Sequence, residues 1–545
     1  FLDGVIVAIY KAGDKTAAVN YRPITLLNTD YRLLARILAD RLQHVLGAVI
    51  SPTQTAFLKG RRIGHNIITM QLLLTALPPD STAVAALLDF AKAYDTFDRG
   101  FLMDCMSAMG VGQEFTTWVS TLLTNTCARV SMNGFISERR EFQAGVRQGC
   151  PLAPLLYLFV GEALLRLLQA KGIGITVYGV PLCATQFADD TQVYLPSVAA
   201  VPAFLAVMDL MAAASGQRLN QDKTKLLLLG KQIRQRHPQY QLPQLTAEQR
   251  RHLPARVRQL TDQADENYRQ RLLSQQLNLQ SIPLQCVLEA NILGIKVGSD
   301  APQDWSKLIQ GVTDAFRRLS YIPQLSAFGR GFGSATYGVS KLLYAAEFSD
   351  LPNTEQQAVM RRAVAQLVDR GQPPNPSQPK FPGVAASLLS GSPKEGGFGA
   401  LPWLEHIRAR HAWWGAQFVT APANTALPWV RIGRACLTAE PAHSFHFRCS
   451  WWGPLAVLDS CRDTQQPVDR SRPPPAPLKR IIAGLQSLGP VADVHAAVSR
   501  RQQRCQTRYV RQQRHNQRQQ QQQQPLVQPP NPPQLQPLQQ QQHPH

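Results

Sequence analysis

The sequence is short of acids and has no closely spaced cysteines. Against 57 Lys and Arg stand only 36 Asp and Glu, a formal charge of +21. That imbalance disfavours cationic partners and favours polyanions, nucleic acid first among them. Residues 500–545 hold seven Arg and no acid, so the tail supplies only part of the excess. The nine Cys include no Cys-x-x-Cys pair, which excludes a zinc knuckle and a dithiol redox motif. Cys436, Cys449 and Cys461, with His443 and His446, are loosely spaced and read as buried free thiols rather than a zinc site. Such usage fits a reducing, intracellular compartment. The longest apolar stretch, 151–168, is interrupted by Glu162 and Arg166 and reads as a buried helix, so no membrane is expected. No signal peptide is visible, and a chain opening on Phe1 is read as a fragment. Gly396-Gly397-Phe398-Gly399 is followed by no Lys-Ser/Thr, so it is not a phosphate loop.

What is present predicts an α+β fold, a sheet covered by helices. The length of 545 residues allows several domains. Residues 4–9 form a short apolar run. Asp30 as a cap predicts a helix from Tyr31 to about Leu46, with Leu33, Leu34, Ile37, Leu38 and Leu42 on one face. Residues 83–89 and 183–195 read as strands. Helices are expected at 101–110, 155–170 and 201–215, the last ended by Gly216. Gln and Arg dominate 231–290, which reads as an exposed insertion. Strand-like sequence resumes at Ile292-Leu293-Gly294-Ile295, and 305–370 is helical in pattern. Six of the eight Trp fall within 395–460, predicting a small apolar subdomain inside 371–472. Pro and Gln take over in 473–545, which reads as a disordered tail.

Four strings carry chemistry. Val84-Ala85-Ala86-Leu87-Leu88 suits a central strand and ends in Asp89, a charge that needs a partner or a metal there. Phe187-Ala188-Asp189-Asp190 sits at the tip of an expected hairpin, where two carboxylates repel unless a cation or solvent relieves them. Gly145-Val146-Arg147-Gln148-Gly149-Cys150-Pro151-Leu152-Ala153-Pro154 is a loop leading into an apolar helix. Lys223 lies in Asn220-Gln221-Asp222-Lys223-Thr224-Lys225, where an ammonium could face phosphate or solvent.

In this order the strings resemble the reverse transcriptase of non-LTR retrotransposons (the LINE type), over about residues 1–403. The resemblance implies a right-hand polymerase. Fingers would occupy 1–80, the palm 81–230, and the primer-grip strand and thumb 291–370. Asp89, Asp189 and Asp190 would be catalytic metal ligands, with the Phe90 carbonyl, for two Mg²⁺ ions, Mn²⁺ being an alternative. Tyr94 would be a steric gate against a 2′-hydroxyl, and Asp95 a helix cap. Gln148 would touch the incoming nucleotide, and Gly149 would let the backbone approach it. Lys223 would protonate the leaving pyrophosphate. Arg61 would pair with the triphosphate, and Arg22 would touch template or brace the fold. Ala153 stands where the family usually has Ser. RNA template, DNA primer and dNTPs would be the partners, in a ribonucleoprotein with the protein's own transcript, in nucleus and cytoplasm. An upstream endonuclease is expected to be missing from this fragment. The alternatives are a catalytically inactive RNA-binding remnant and an RNA-dependent RNA polymerase.

Overall fold

In the computed structural model, the β-branched and aliphatic runs named above become strands, with helices packed against them. The structure describes residues 1–230, 284–298, 303–370, 386–438 and 475–487, all inside one compact unit, Phe1–Ser487. The strands of the first part are β1 (Asp3–Tyr10), β2 (Tyr21–Leu27), β3 (Val84–Leu88), β4 (Cys127–Met132), β5 (Phe135–Ile136) and β6 (Arg140–Glu141). There follow β7 (Ile175–Val177), β8 (Val180–Leu182), β9 (Ala184–Phe187) and β10 (Asp190–Leu195). The last four are β11 (Lys225–Leu228), β12 (Gln285–Val287), β13 (Ala290–Ile292) and β14 (Ile295–Val297).

The sheet that matters for function has the order β12-β11-β3-β10-β9. β3 is its middle strand, antiparallel to β10 and β11. Val84, Ala85 and Ala86 are fully buried, which explains the unbroken apolar run: a strand covered on both faces has no polar side to present. The apolar helix Ala153–Ala170 packs into the same core through Leu156, Phe159 and Val160. This helix and residues Val198–Ser215 have the length and composition to cross a membrane, yet the first is a core element here. Glu162 is accommodated inside by the Ser51 N–H and hydroxyl, both at 2.9 Å, and by Arg166 Nε at 3.0 Å. A second sheet, β2-β1-β4-β5, holds the N-terminal run.

Several expectations need correction. The first long helix is Thr29–Gln43, and Asp30 lies in its first turn without capping it. Its buried stripe is Tyr31, Ala35, Leu38, Ala39 and Leu42, leaving Leu33 and Ile37 exposed. Tyr31 sets the phase: its large ring takes the core, and i+4, i+7 and i+11 follow. The insertion does not extend to 290. β12 joins the main sheet in parallel with β11, and β13 begins at Ala290. The tail likewise does not begin at 473, because Ala476–Gln486 is a helix burying Leu478, Ile481 and Ile482. Nor are the Trp-rich helices, Trp403–Thr420 and Pro428–Thr438, a separate subdomain. Trp414 and Trp429 share one core with Ile67, Tyr194 and Ile295. Most of the 231–290 insertion, residues 371–385, Cys449, Cys461, His443, His446 and the Gln-rich tail lie outside the described residues.

Candidate active site

The sheet register brings the acids together. Thr191 lies opposite Leu88 and Lys225 opposite Leu87. One step further, Asp190 falls opposite Asp89, and Lys223, two residues ahead of Lys225 in the segment that leads into β11, stands on the other side of it. The loop of the β9–β10 hairpin is Ala188-Asp189, since Phe187 pairs with Asp190. Asp89 is held at its backbone, where its N–H donates to Thr224 Oγ1 at 3.3 Å and its carbonyl accepts from Asn220 N at 2.8 Å. Lys223 Nζ stands 4.0 Å from Asp89 Oδ2. Phe90 forms an isolated bridge with Leu219. Its two bonds use the carbonyls of Asp89 and Arg218, which leaves the Phe90 carbonyl out of the bridge.

Electrostatically the acids are in excess. Burial, then the Asp89 charge, pushes the Asp189 carboxyl above the usual carboxylate range, against the pull of Lys11 and Arg22. Burial, Asp189 and Asp89 do the same to Asp190, opposed by Lys11. Tyr94 lies close enough to feel both Asp189 and Asp190. Burial and those charges raise its phenol, and its ring packs on Tyr157 at 4.6 Å. Among the described residues no group of three or more His, Cys, Asp or Glu is drawn together tightly enough to hold an ion as it stands. Beside the acids opens a cleft of 280 Å³, whose walls include Asp89, Asp190, Lys223 and, from the β13–β14 hairpin, Asn291 and Leu293.

Two residues expected to meet substrate are occupied otherwise. Arg61 donates from Nη1 to the carbonyls of Ser51 and Gln54, and from Nη2 to those of Ile50 and Gly47. Four of its five N–H groups are thereby spent on the loop, so Arg61 braces the loop in this structure. Gly149 makes its close approach to Thr25, whose carbonyl a Cβ would meet at 2.5 Å. Gln148 is half-buried, and its amide donates to the Asp95 carboxylate at 3.3 and 3.4 Å. Asp95 is therefore the anchor of Gln148 rather than a cap. Sequence reasoning also missed Thr224 and Lys11, the first a hydroxyl beside an acid-bearing strand, the second a cation after a strand end.

These strands and acids mark a protein of the nucleic-acid polymerase class, and the match to known families agrees. Residues 9–282 match the family described as reverse transcriptase (RNA-dependent DNA polymerase), and the chain belongs to that family. The relatives it is similar to are named as transposon and R2 retrotransposable-element proteins. It is 31% identical over 229 residues to the transposon TX1 uncharacterized 149 kDa protein of Xenopus laevis, covering 42% of this chain and 18% of that protein. It is 28% identical over 222 residues to a retrovirus-related Pol polyprotein from the type-1 retrotransposable element R2 of Popillia japonica, covering 40% of this chain and 30% of that one. The R2DM polyprotein of Drosophila melanogaster is 29% identical over 206 residues, 37% of this chain and 19% of that one. The matches thus span 30% or less of these relatives' length. A solved telomerase of Candida tropicalis has a TM-score of 0.31 at 12% identity, covering 42% of this chain and 41% of that one, a likeness too weak to argue from.

Proposed function

We propose that this chain extends a DNA primer on an RNA template from dNTPs, as the polymerase of a retrotransposon primed at its genomic target. The observation that carries the reading is the convergence of Asp89, Asp189 and Asp190 at neighbouring strand ends, where burial first and the neighbouring carboxylates second raise the Asp189 and Asp190 carboxyls. An all-oxygen, over-negative set suits Mg²⁺, or Mn²⁺ in its place. The three carboxylates and the Phe90 carbonyl would hold two such ions. Bound there, the ions would supply charge stabilisation and acidify the primer hydroxyl.

The chain's own groups do the rest. Tyr94, packed on Tyr157, walls the sugar side and excludes a 2′-hydroxyl. Gln148, fixed by Asp95, orients the incoming nucleotide. Lys223 neutralises, and protonates, the pyrophosphate leaving group. Residues 1–80 act as fingers, 81–230 as palm, and 291–370 as primer grip and thumb, the β13–β14 turn closing one side of the cleft. The basic surface holds template and primer by their phosphates, so binding weakens with salt. Nuclear access and a ribonucleoprotein with its own transcript belong to this reading.

Primer extension on an RNA template with dNTPs and Mg²⁺ tests it. Wild type should synthesise DNA, and Asp189→Asn should lose at least about a hundredfold in rate while still binding RNA. A folded, RNA-binding wild type that makes no DNA would favour a binding remnant instead.

A further inference from the structure

The loop that presents Asp189 is built on an awkward residue. In a two-residue hairpin with positive φ at its first position only, glycine is the relaxed choice. Here the position is Ala188, with φ of +60°, and it is buried. Asp189, next in the chain, does not share the positive φ. A left-handed alanine persists only where its surroundings hold it.

They do so through Gln54. This side chain is fully buried. Its Oε1 accepts from the Ala188 N–H at 3.0 Å, and its Nε2 donates to the Ala188 carbonyl at 3.2 Å. One amide thus grips both polar groups of the strained residue. Oε1 also accepts from the Ala56 N–H at 3.1 Å, which fixes the amide's orientation. The supporting segment is itself tied to the outer strand of the hairpin. Gln54 bridges Gln186 in parallel, Gln186 N donates to Thr53 O, and Thr55 N donates to Gln186 O, both at 2.9 Å. Asn66 Nδ2 adds a bond to the Gln186 carbonyl at 2.7 Å. Arg61 braces the same loop from behind through the Gln54 carbonyl at 2.7 Å.

We propose that Gln54 is a positioning residue that clamps Ala188 in its left-handed conformation and thereby sets the direction of the Asp189 carboxylate. It touches no reacting atom. Its effect is on the geometry of the acid cluster, and a misplacement of about 1 Å at such a site costs of the order of a hundredfold in rate. The inference rests on the polymerase reading for its catalytic consequence but not for its geometric one.

The test is a double-substitution cycle over Gln54→Met and Ala188→Gly, because glycine takes the positive φ without a clamp. Two measurements are made on the full chain: primer extension, for kcat and KM, and Mn²⁺ affinity by electron paramagnetic resonance without nucleic acid or nucleotide. With Ala188 present, Gln54→Met should lower kcat about tenfold or more and weaken Mn²⁺ binding, leaving the dNTP KM within about twofold. In the Ala188→Gly background, the same change should cost no more than about threefold in either quantity. Equal losses in both backgrounds, or no loss in either, would overturn the clamp. If Gln54→Met does not fold, Gln54→Glu runs the same cycle, since it keeps the acceptor for both N–H groups and removes the donor to the Ala188 carbonyl. A wild type that makes no DNA sinks the polymerase reading, while the Mn²⁺ cycle still decides for or against Gln54.

Discussion

Gly149 has a backbone φ of +113°, and an added Cβ would lie 2.5 Å from the Thr25 carbonyl oxygen. The strand β2 is bound there, its Thr25 N–H donating to the Gln148 carbonyl at 2.7 Å. Gly149→Ala therefore meets two penalties, an unfavourable φ and a backbone clash, together about 1–3 kcal/mol or more. A urea titration should show a lower midpoint with an unchanged slope; an unaltered midpoint would mean that the loop relaxes freely. At this scale the acids were legible, because an apolar strand ending in Asp is a conspicuous pattern. The roles of Asp95, Arg61 and Gln54 were not. Each binds groups that carry no sequence signature, a side-chain amide for Asp95 and main-chain carbonyls or N–H groups for the others. A carbonyl-capping arginine and a phosphate-binding one are written with the same letter.

Helix contacts show a similar limit one level up. The helix Ala476–Gln486 carries Leu478, Ile481, Ile482 and Leu485 at i, i+3, i+4 and i+7, a helical stripe in plain view. The surrounding Pro and Gln made the whole region read as a tail. Its partner is the helix Trp403–Thr420, and the two approach closely through glycine. A Cβ on Gly484 would meet Ala412 N at 2.5 Å, and one on Gly415 would meet the Leu485 side chain at 2.3 Å. In an exposed helix, Gly→Ala stabilises by about 1 kcal/mol. At Gly484 the sign should reverse, because the obstacle is another helix's backbone and overpacking costs about 1–3 kcal/mol. Chemical denaturation of Gly484→Ala decides the sign, and a gain in stability would show that the helices separate at little cost. The misjudged face of Thr29–Gln43 has the same origin. Five aliphatic residues invited a stripe, but the ring of Tyr31 sets which stripe faces in.

Across the whole molecule, distant parts of the chain meet at His65. It sits on the helix Ile63–Ala76, edge-on to Trp414 at 5.4 Å and stacked near Trp429 at 6.2 Å. The neighbouring Arg62 lies 3.8 Å over the Trp413 ring. His65 is 6% exposed, and its Nδ1 has no hydrogen-bond partner. Burial first, then the charges of Arg62 and Arg61, lowers its pKa to about 4 from an ordinary 6.5. The sign follows directly. The folded protein keeps His65 neutral where the unfolded chain would protonate it. Its stabilising contribution is thus complete above pH 6.5 and is lost progressively as pH falls towards about 4. A gap of that size corresponds to about 3 kcal/mol at the acid end. Asp95, Asp189 and Asp190, whose pKa values are raised, act in the opposite direction as the pH drops, so wild type alone does not isolate the histidine. His65→Phe keeps an aromatic ring between the tryptophans and removes the titrating group. Measured by urea unfolding at pH 7.5 and 4.5, the substitution should shrink the acid-induced loss of stability by up to about 3 kcal/mol. An equal loss in both proteins would place the acid sensitivity elsewhere and deny His65 its part in joining the N-terminal helices to the tryptophan-bearing ones.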